Sequence, residues 1–223
     1  MKNGFTLAEV LITLVIIGVI AALTVPSLIQ RTNKQEYVTA IKKAYSTLSQ
    51  ASQQIIAEEG NPNCDKGGWA CSNKDVIDAY KKHLNVLKDC GTDTACFGSS
   101  AVKTGLNGIY KIDLNSSDGA LINNEKLILS DGTHVAVWQT DTNCAKRGAG
   151  TNEGSVCSKI LVDINGSKGP NIVGRDVVGF MLMENGLYPE GCDSDYCIPS
   201  NSGEQGHGWG CLCRVIRENA MNY

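Results

Sequence analysis

The sequence predicts an α+β protein in which a long N-terminal helix packs on a small antiparallel sheet in a disulfide-rich head. Three observations support this fold class. The first part of the chain is an apolar run followed by an amphipathic run at helical spacing. The C-terminal half instead contains short runs with the period of β-strands. The third observation is the ten cysteines, an even number that is typical of a disulfide framework.

The apolar run extends from Phe5 through Val25 and is interrupted by one acid, Glu9. A run of about 20 residues is long enough to cross a bilayer as a helix. A removable secretory signal would have a shorter apolar stretch, so the pattern favours an anchor. An acid inside such a span costs about 2.5–3.5 kcal/mol, which makes Glu9 a candidate functional residue.

The amphipathic run continues the helix through residues 30–60 and ends at Gly60-Asn61-Pro62-Asn63. Its apolar positions recur at spacings of three and four, and they are Tyr37, Ile41, Ala44, Tyr45, Leu48, Ala51, Ile55 and Ile56. A helix from Phe5 to Glu59 would be about 80 Å long at 1.5 Å per residue, with a bend expected at Pro26. Only its second half can therefore pack on the head.

A second helix is predicted from Asp75 to Lys88, with Asn73 as its N-cap. Its apolar face is formed by Val76, Tyr80, Leu84 and Leu87. His83 lies near this face. Neither of the other two histidines, His134 and His207, stands at ligand spacing from it, so we interpret His83 as a partly buried histidine rather than a metal ligand.

The C-terminal half predicts an antiparallel meander within a head that covers residues 61–223. The first two strands, Leu127–Leu129 and His134–Trp138, flank a tight turn at Asp131-Gly132. Three further strands are predicted at Lys159–Ile164, Asp176–Met183 and Gly210–Ile216. The polar, glycine-rich segment 194–210 is predicted to be a surface loop.

The cysteines predict a protein whose head lies in an oxidising compartment, because cytosolic thiols are kept reduced. Zinc is the alternative, but the spacings do not repeat a paired CxxC design. We expect Cys64–Cys71, Cys90–Cys96 and Cys144–Cys157 as sequential pairs. Cys192 and Cys197 would then pair with Cys211 and Cys213, since two cysteines on one face of a strand are poorly placed to bridge each other.

The composition argues against two broad functions. The net charge is -3 and the pI is about 5.6, so no basic surface is expected to bind nucleic acid as a main ligand. The sequence contains no G-x-S-x-G, H-E-x-x-H, G-x-G-x-x-G or P-loop motif, so we expect no catalytic residues and no enzyme activity. The three tryptophans, Trp69, Trp138 and Trp209, are either a binding surface or core residues.

One string in the head carries oxygen side chains at alternate positions, as the first part of a calcium loop does. These residues are Asp163, Asn165, Ser167 and Asn171, with Asp176 as the nearest later acid. Lys168 replaces the usual glycine, and Gly174 stands where a bidentate acid is needed. Turn chemistry at Asn165-Gly166 and Gly169-Pro170 explains the same residues. Calcium is therefore the one cofactor that the sequence leaves open.

The string from Gly4 through Ile12, GFTLAEVLI, resembles the cleavage and methylation motif of type IV prepilins and type II secretion pseudopilins. The resemblance implies a pilin-like fold. It also implies that a prepilin peptidase cuts after Gly4 and methylates Phe5, and that Glu9 is the acid used in assembly. Gly18 and Pro26 stand where many pilins carry helix-weakening residues. The 163–176 string also resembles a head motif of pilin-like proteins, and some secretion pseudopilins bind calcium in their heads.

The resemblance implies a structural subunit, a major or minor pilin or a pseudopilin, of a type IV pilus-like or type II secretion filament. Residues 1–4 would be the leader, and residues 5–29 the transmembrane and filament-core helix. Expected partners are the peptidase, identical or related subunits and an inner-membrane assembly platform. The precursor would cross the inner membrane once, and the filament would be periplasmic or extracellular, where a surface pilus could serve cell adhesion. The alternative is a membrane-anchored extracytoplasmic binding protein or enzyme with a prepilin-like anchor.

Overall fold

The computed structural model describes residues 6–93, 96–97, 102–103, 106, 111–112, 124–147, 154–192, 197 and 208–223. The predicted leader and the cleavage junction at Gly4 and Phe5 lie outside the described residues, as does most of the predicted loop 194–210. The chain divides into two units, residues 1–36 and residues 37–223.

Helix α1 spans Leu7–Glu59 and runs through both Gly18 and Pro26. In the first unit every residue from Thr6 to Glu36 is exposed. In the second unit α1 buries one stripe, which consists of Val38, Ile41, Ala44, Leu48, Ala51, Ser52 and Ile55. The helix ends where the glycine and proline at positions 60 and 62 predict, and the bend expected at Pro26 stays a prediction.

The described strands are β1 (Val86–Gly91), β2 (Val102–Lys103), β3 (Lys111–Ile112), β4 (Lys126–Leu129), β5 (His134–Thr140), β6 (Lys146–Arg147), β7 (Gly154–Asp163), β8 (Val177–Met183) and β9 (Gly186–Pro189). The main sheet is antiparallel, with the order β1-β4-β5-β7-β8-β9 and β6 also paired to β7. Strands β2 and β3 pair separately. The predicted meander is confirmed by β4, β5, β7 and β8, and Gly132 has the positive φ of 85° that its tight turn requires.

The main sheet buries residues on both of its faces. The inner face, for example Val135, Val137 and Ile160, shares a core with the second half of α1 and with α2 (Asn73–Lys81). The outer face packs in a smaller core, which contains Ala136, Leu161 and Val177 from the sheet and Phe97, Val102 and Val173 from the segments that cover it. Both layers of the predicted α+β head are therefore present, and a further layer, which includes β2, covers the outer face.

The second predicted helix is wrong at both ends. Helix α2 ends at Lys81, and its N-cap is Ser72, whose side chain accepts a hydrogen bond from the N–H of Asp75. The residues that follow form β1, which pairs with β4. Leu87, predicted to lie on the apolar face of the helix, is 69% exposed. A short run with few apolar residues is compatible with the period of a helix or of a strand. Here the pairing with β4 determines that the run forms a strand.

The predicted strand Gly210–Ile216 is also wrong. A 3-10 turn at Gly208–Gly210 leads into helix α3, Cys211–Glu218. Its buried residues, Cys211, Leu212 and Val215, have helical spacing, and Asn219 ends the helix with a φ of 55°. The other two strands differ only at their ends. β7 begins earlier than predicted and stops at Asp163, and β8 begins after Asp176.

Candidate functional site

The first unit presents a long apolar surface from Leu7 to Ile29, which is interrupted by Glu9 and by a few hydroxyl side chains. From Leu7 to Ile29 every leucine, isoleucine and valine that the structure describes is more than 40% exposed. The stretch is long and apolar enough to cross a membrane, and none of it is buried. A surface of this size and composition requires lipid or other protein to cover it.

Thr6 and Glu9 form a capping box at the start of α1. The backbone N–H and the hydroxyl of Thr6 donate to Glu9 Oε2 at 2.8 and 2.9 Å, and the N–H of Glu9 donates to Thr6 Oγ1 at 3.3 Å. Each side chain thereby satisfies a backbone donor that the first helical turn leaves free. Thr6 is absent from the residues predicted from the sequence, although the pattern T-x-x-E before an apolar run is a known signal.

The other polar side chains of the apolar segment are satisfied within the helix. The hydroxyls of Thr13, Thr24 and Ser27 donate to the carbonyls of Val10, Ile20 and Thr24 at 2.8–2.9 Å. These residues therefore present no unsatisfied hydroxyl to an apolar environment. Glu9 is the one ionisable side chain between Leu7 and Gln30.

All ten cysteines are paired. The three predicted sequential pairs are present, and the remaining four cysteines pair as Cys192–Cys213 and Cys197–Cys211. The reason given for these last pairs is wrong, because Cys211 and Cys213 lie in a helix. Residues two apart in a helix point to nearly opposite sides, so Cys211 is buried and Cys213 is partly exposed. The two nested bridges connect α3 to the segment that follows β9.

The segment between β7 and β8, residues 163–176, brings together four of the five residues considered for calcium. Asp163 and Asp176 are 1% and 0% exposed. Asp176 accepts the N–H groups of Ile172 and Asn171 at 2.6 and 2.8 Å, and Asp163 Oδ1 accepts the N–H of Asn165 at 3.2 Å. Ser167, in contrast, is exposed. Among the residues that the structure describes, no group of three or more His, Cys, Asp or Glu side chains is placed to hold a metal ion.

The tryptophans do not form one surface. Trp69 packs against the inner core and donates to the carbonyl of Gly60 at 3.1 Å. Trp138 and Trp209 lie at the border of the outer core with ring centroids 5.2 Å apart. Lys159 lies 5.5 Å from the Trp138 ring and forms an ion pair with the buried Glu190 at 2.9 Å.

His83 lies at the junction of α2 and α1. Its side chain is 11% exposed, as the interpretation of a partly buried histidine requires, and its Nε2 is 3.4 Å from Glu58 Oε2.

A long apolar N-terminal helix joined to an antiparallel, disulfide-bonded head is a pilin-like α+β architecture. The family model of the prokaryotic N-terminal methylation motif matches residues 1–25, which identifies a type IV prepilin-like signal at the N-terminus. The match includes Gly4, Phe5 and Glu9, and the apolar helix behind them fits a membrane-anchored precursor. Searches of curated proteins and of solved structures return no match. The comparison therefore supports processing and anchoring and does not extend to the head.

Proposed function

We propose that this chain is a structural subunit of a type IV pilus-like or type II secretion filament, processed by a prepilin peptidase after Gly4, and that it has no catalytic activity. The observation that supports the proposal is the apolar first half of α1, exposed on every side directly behind a methylation motif. Before assembly, lipid covers this surface while the precursor crosses the inner membrane once. After extraction by an inner-membrane assembly platform, the same surface is covered by neighbouring subunits.

Glu9 has a distinct role in each state. In the lone subunit its carboxylate accepts two hydrogen bonds from Thr6, which reduces the cost of an acid in lipid. Cleavage after Gly4 gives Phe5 a free amine, and a Glu9 carboxylate in a neighbouring subunit can neutralise it. Such a pair is tolerable in an apolar bundle only when both charges are present, since removing one partner leaves the other buried and uncompensated.

The processing step is tested by co-expressing the full-length precursor with a prepilin peptidase and measuring the N-terminus by mass spectrometry. The wild-type chain should lose residues 1–4 and gain one methyl group on Phe5. Gly4→Ala should leave Met1 in place and Phe5 unmethylated, because the peptidase site accepts glycine at the cut. A mature, methylated terminus in Gly4→Ala would contradict the assignment. An unprocessed wild-type chain would instead favour an anchored binding protein or enzyme.

The assembly step is tested with Glu9→Leu and a matched control, Glu36→Leu, which removes a carboxylate from the exposed α1 surface beyond the apolar run. Glu9→Leu should remain in the membrane at least as well as the wild type, because an acid has been removed from lipid. Its yield of sheared filaments should fall at least tenfold, while that of Glu36→Leu should change little. Equal filament yield from Glu9→Leu and the wild type would refute the role of Glu9.

A further inference from the structure

The last four cysteines of the chain are paired differently from the first six. Each of the first three bridges joins a cysteine to the next cysteine along the chain. In contrast, Cys192 is joined to Cys213 and Cys197 to Cys211, so that one bridge encloses the other. Four cysteines allow three pairings. The native pairing of these four therefore has to be selected from three.

Chain entropy alone favours a different pair. Cys192 and Cys197 are five residues apart, whereas the native pairs are 21 and 14 residues apart. Because loop closure becomes rarer with the 3/2 power of loop length, Cys192 in an unfolded chain meets Cys197 roughly ninefold more often than it meets Cys213. For Cys197 the preference for Cys192 over Cys211 is roughly fivefold. An oxidant that acts before the head folds therefore joins Cys192 to Cys197 first.

The folded head retains the native pairing because of α3. Cys211 and Cys213 are two residues apart in this helix, so their side chains point to nearly opposite sides. Cys211 is 0% exposed and belongs to a small buried cluster against which Cys197 packs. Cys213 is partly exposed, and its partner Cys192 is exposed. The crossed pairing would require the exposed Cys192 to reach the buried sulfur of Cys211, which α3 prevents.

The pair that forms fastest is thus not a pair that the fold retains. A disulfide is exchanged only when a thiolate attacks one of its sulfurs, and without a catalyst this takes minutes to hours. We propose that the head is a substrate of a dithiol disulfide isomerase of the oxidising compartment, which acts at Cys192. Because Cys192 is exposed, its sulfur is accessible to an enzyme thiolate even after the head has packed. This partner goes beyond the proposed structural role, since it is needed before any subunit contact is made.

The exchange conserves the number of disulfides. A thiolate of the isomerase attacks Sγ of Cys192, which breaks the Cys192–Cys197 bond, forms a mixed disulfide with the enzyme and releases Cys197 as a thiolate. The Cys213 thiolate then attacks Sγ of Cys192, which forms the native outer bridge and returns the enzyme thiolate. These two steps transfer no net electrons. The thiols of Cys197 and Cys211 are then oxidised to the inner bridge by a small-molecule disulfide, which takes up two electrons and two protons and leaves as two thiols.

The test follows the oxidative folding of the reduced, unfolded full-length chain in detergent. The chain is diluted into a buffer of reduced and oxidised glutathione, with and without purified protein disulfide isomerase. Samples are alkylated at intervals and their peptides are mapped without reduction. In the wild type we expect Cys192–Cys197 as the main early pair among the last four cysteines. The isomerase should speed the appearance of Cys197–Cys211 by about fivefold, because it removes the competing pair.

Two double variants with equal numbers of cysteines separate this effect from general catalysis of oxidation. Cys192→Ser with Cys213→Ser leaves Cys197 and Cys211 without their close competitor, so Cys197–Cys211 should form at nearly the same rate with and without the isomerase. The matched control, Cys64→Ser with Cys71→Ser, removes a sequential pair and should retain the acceleration of about fivefold. Equal acceleration in the two variants would overturn the proposal.

A further measurement uses only the wild-type chain. An isomerase whose second active-site cysteine is replaced by alanine cannot complete its own release and should be trapped as a mixed disulfide on Cys192. Trapping on Cys211 instead, or early peptide maps that contain no Cys192–Cys197, would refute the proposal. None of these results depends on processing after Gly4 or on assembly into a filament.

Discussion

Ser52 and Tyr80 form a buried hydrogen-bonded pair that fastens α2 to the second half of α1, and it gives a sharp prediction. Both residues are at most 1% exposed. Ser52 Oγ donates to the carbonyl of Leu48 at 2.7 Å, so the Tyr80 hydroxyl must donate to Ser52 Oγ. Burial raises the pKa of Tyr80, and the hydroxyl is therefore neutral at all ordinary pH values. The two substitutions that break this bond leave different groups behind.

Tyr80→Phe removes the donor and leaves Ser52 bonded to Leu48, so it should cost about 1 kcal/mol. Ser52→Ala removes the acceptor and leaves a buried hydroxyl without a partner, which costs about 1–3 kcal/mol. The better helix propensity of alanine offsets roughly 0.5 kcal/mol of that cost. The decisive case is the double variant. In the Ser52→Ala background, Tyr80→Phe removes a group that no longer has a partner, so the second change should be neutral or stabilising.

The assay is urea unfolding of the full-length variants in detergent, followed by far-UV circular dichroism. Tyr45→Phe is the matched control, because Tyr45 lies on the same face of α1, is only partly buried and stacks on Phe180 through its ring. Its free energy of unfolding should stay within about 0.5 kcal/mol of the wild type. The stabilising role of the Ser52–Tyr80 hydrogen bond is refuted if Tyr80→Phe destabilises the Ser52→Ala variant by as much as it destabilises the wild type.

Two further predictions concern an ion pair and a disulfide that stabilise the head. Hydrogen bonds from Lys66, then Asn63 and Asn61, lower the pKa of Glu184 to about 2. Glu184→Gln should therefore reduce the free energy of unfolding by about 0.5–1 kcal/mol at pH 7, and this difference should shrink as the pH falls from 4.5 towards 2, whereas a constant difference would contradict the assignment. The double change Cys192→Ser with Cys213→Ser opens the outer of the nested loops, whose cysteines are 21 residues apart, and should cost about 3 kcal/mol in thermal unfolding. Non-reducing peptide maps should then retain Cys197–Cys211, and free thiols or released zinc in the wild type would refute the disulfide framework.

The sequence predicts α1 and the three sequential disulfides well because their signals are local. An apolar run and a glycine-proline stop define α1 without reference to any other part of the chain. The three sequential disulfides likewise join cysteines at most 13 residues apart. Thr6 was available from the sequence as well, since a capping box needs only four adjacent residues.

The errors fall where a distant partner decides the local structure. Residues 86–91 become a strand because β4 offers an unpaired edge. Residues 211–218 become a helix because the sheet and the two bridges bury Cys211, Leu212 and Val215 on one side. Asp163 and Asp176 are brought together by a loop whose sequence has the periodicity of neither a helix nor a strand. In each case the deciding contact joins residues whose relation is not visible in a single window of sequence.

The two faces of the main sheet contact different parts of the chain. Residues on the inner face hold α1, and a substitution there changes how the head is joined to its own N-terminal helix. Residues on the outer face pack against Phe97, Val102 of β2 and Val173, and none of these three belongs to α1. The outer layer can therefore accumulate substitutions, or be replaced by another segment of similar length, without altering the register of α1. The exposed residues of the outer layer can therefore vary while the packing of the sheet on α1 stays the same.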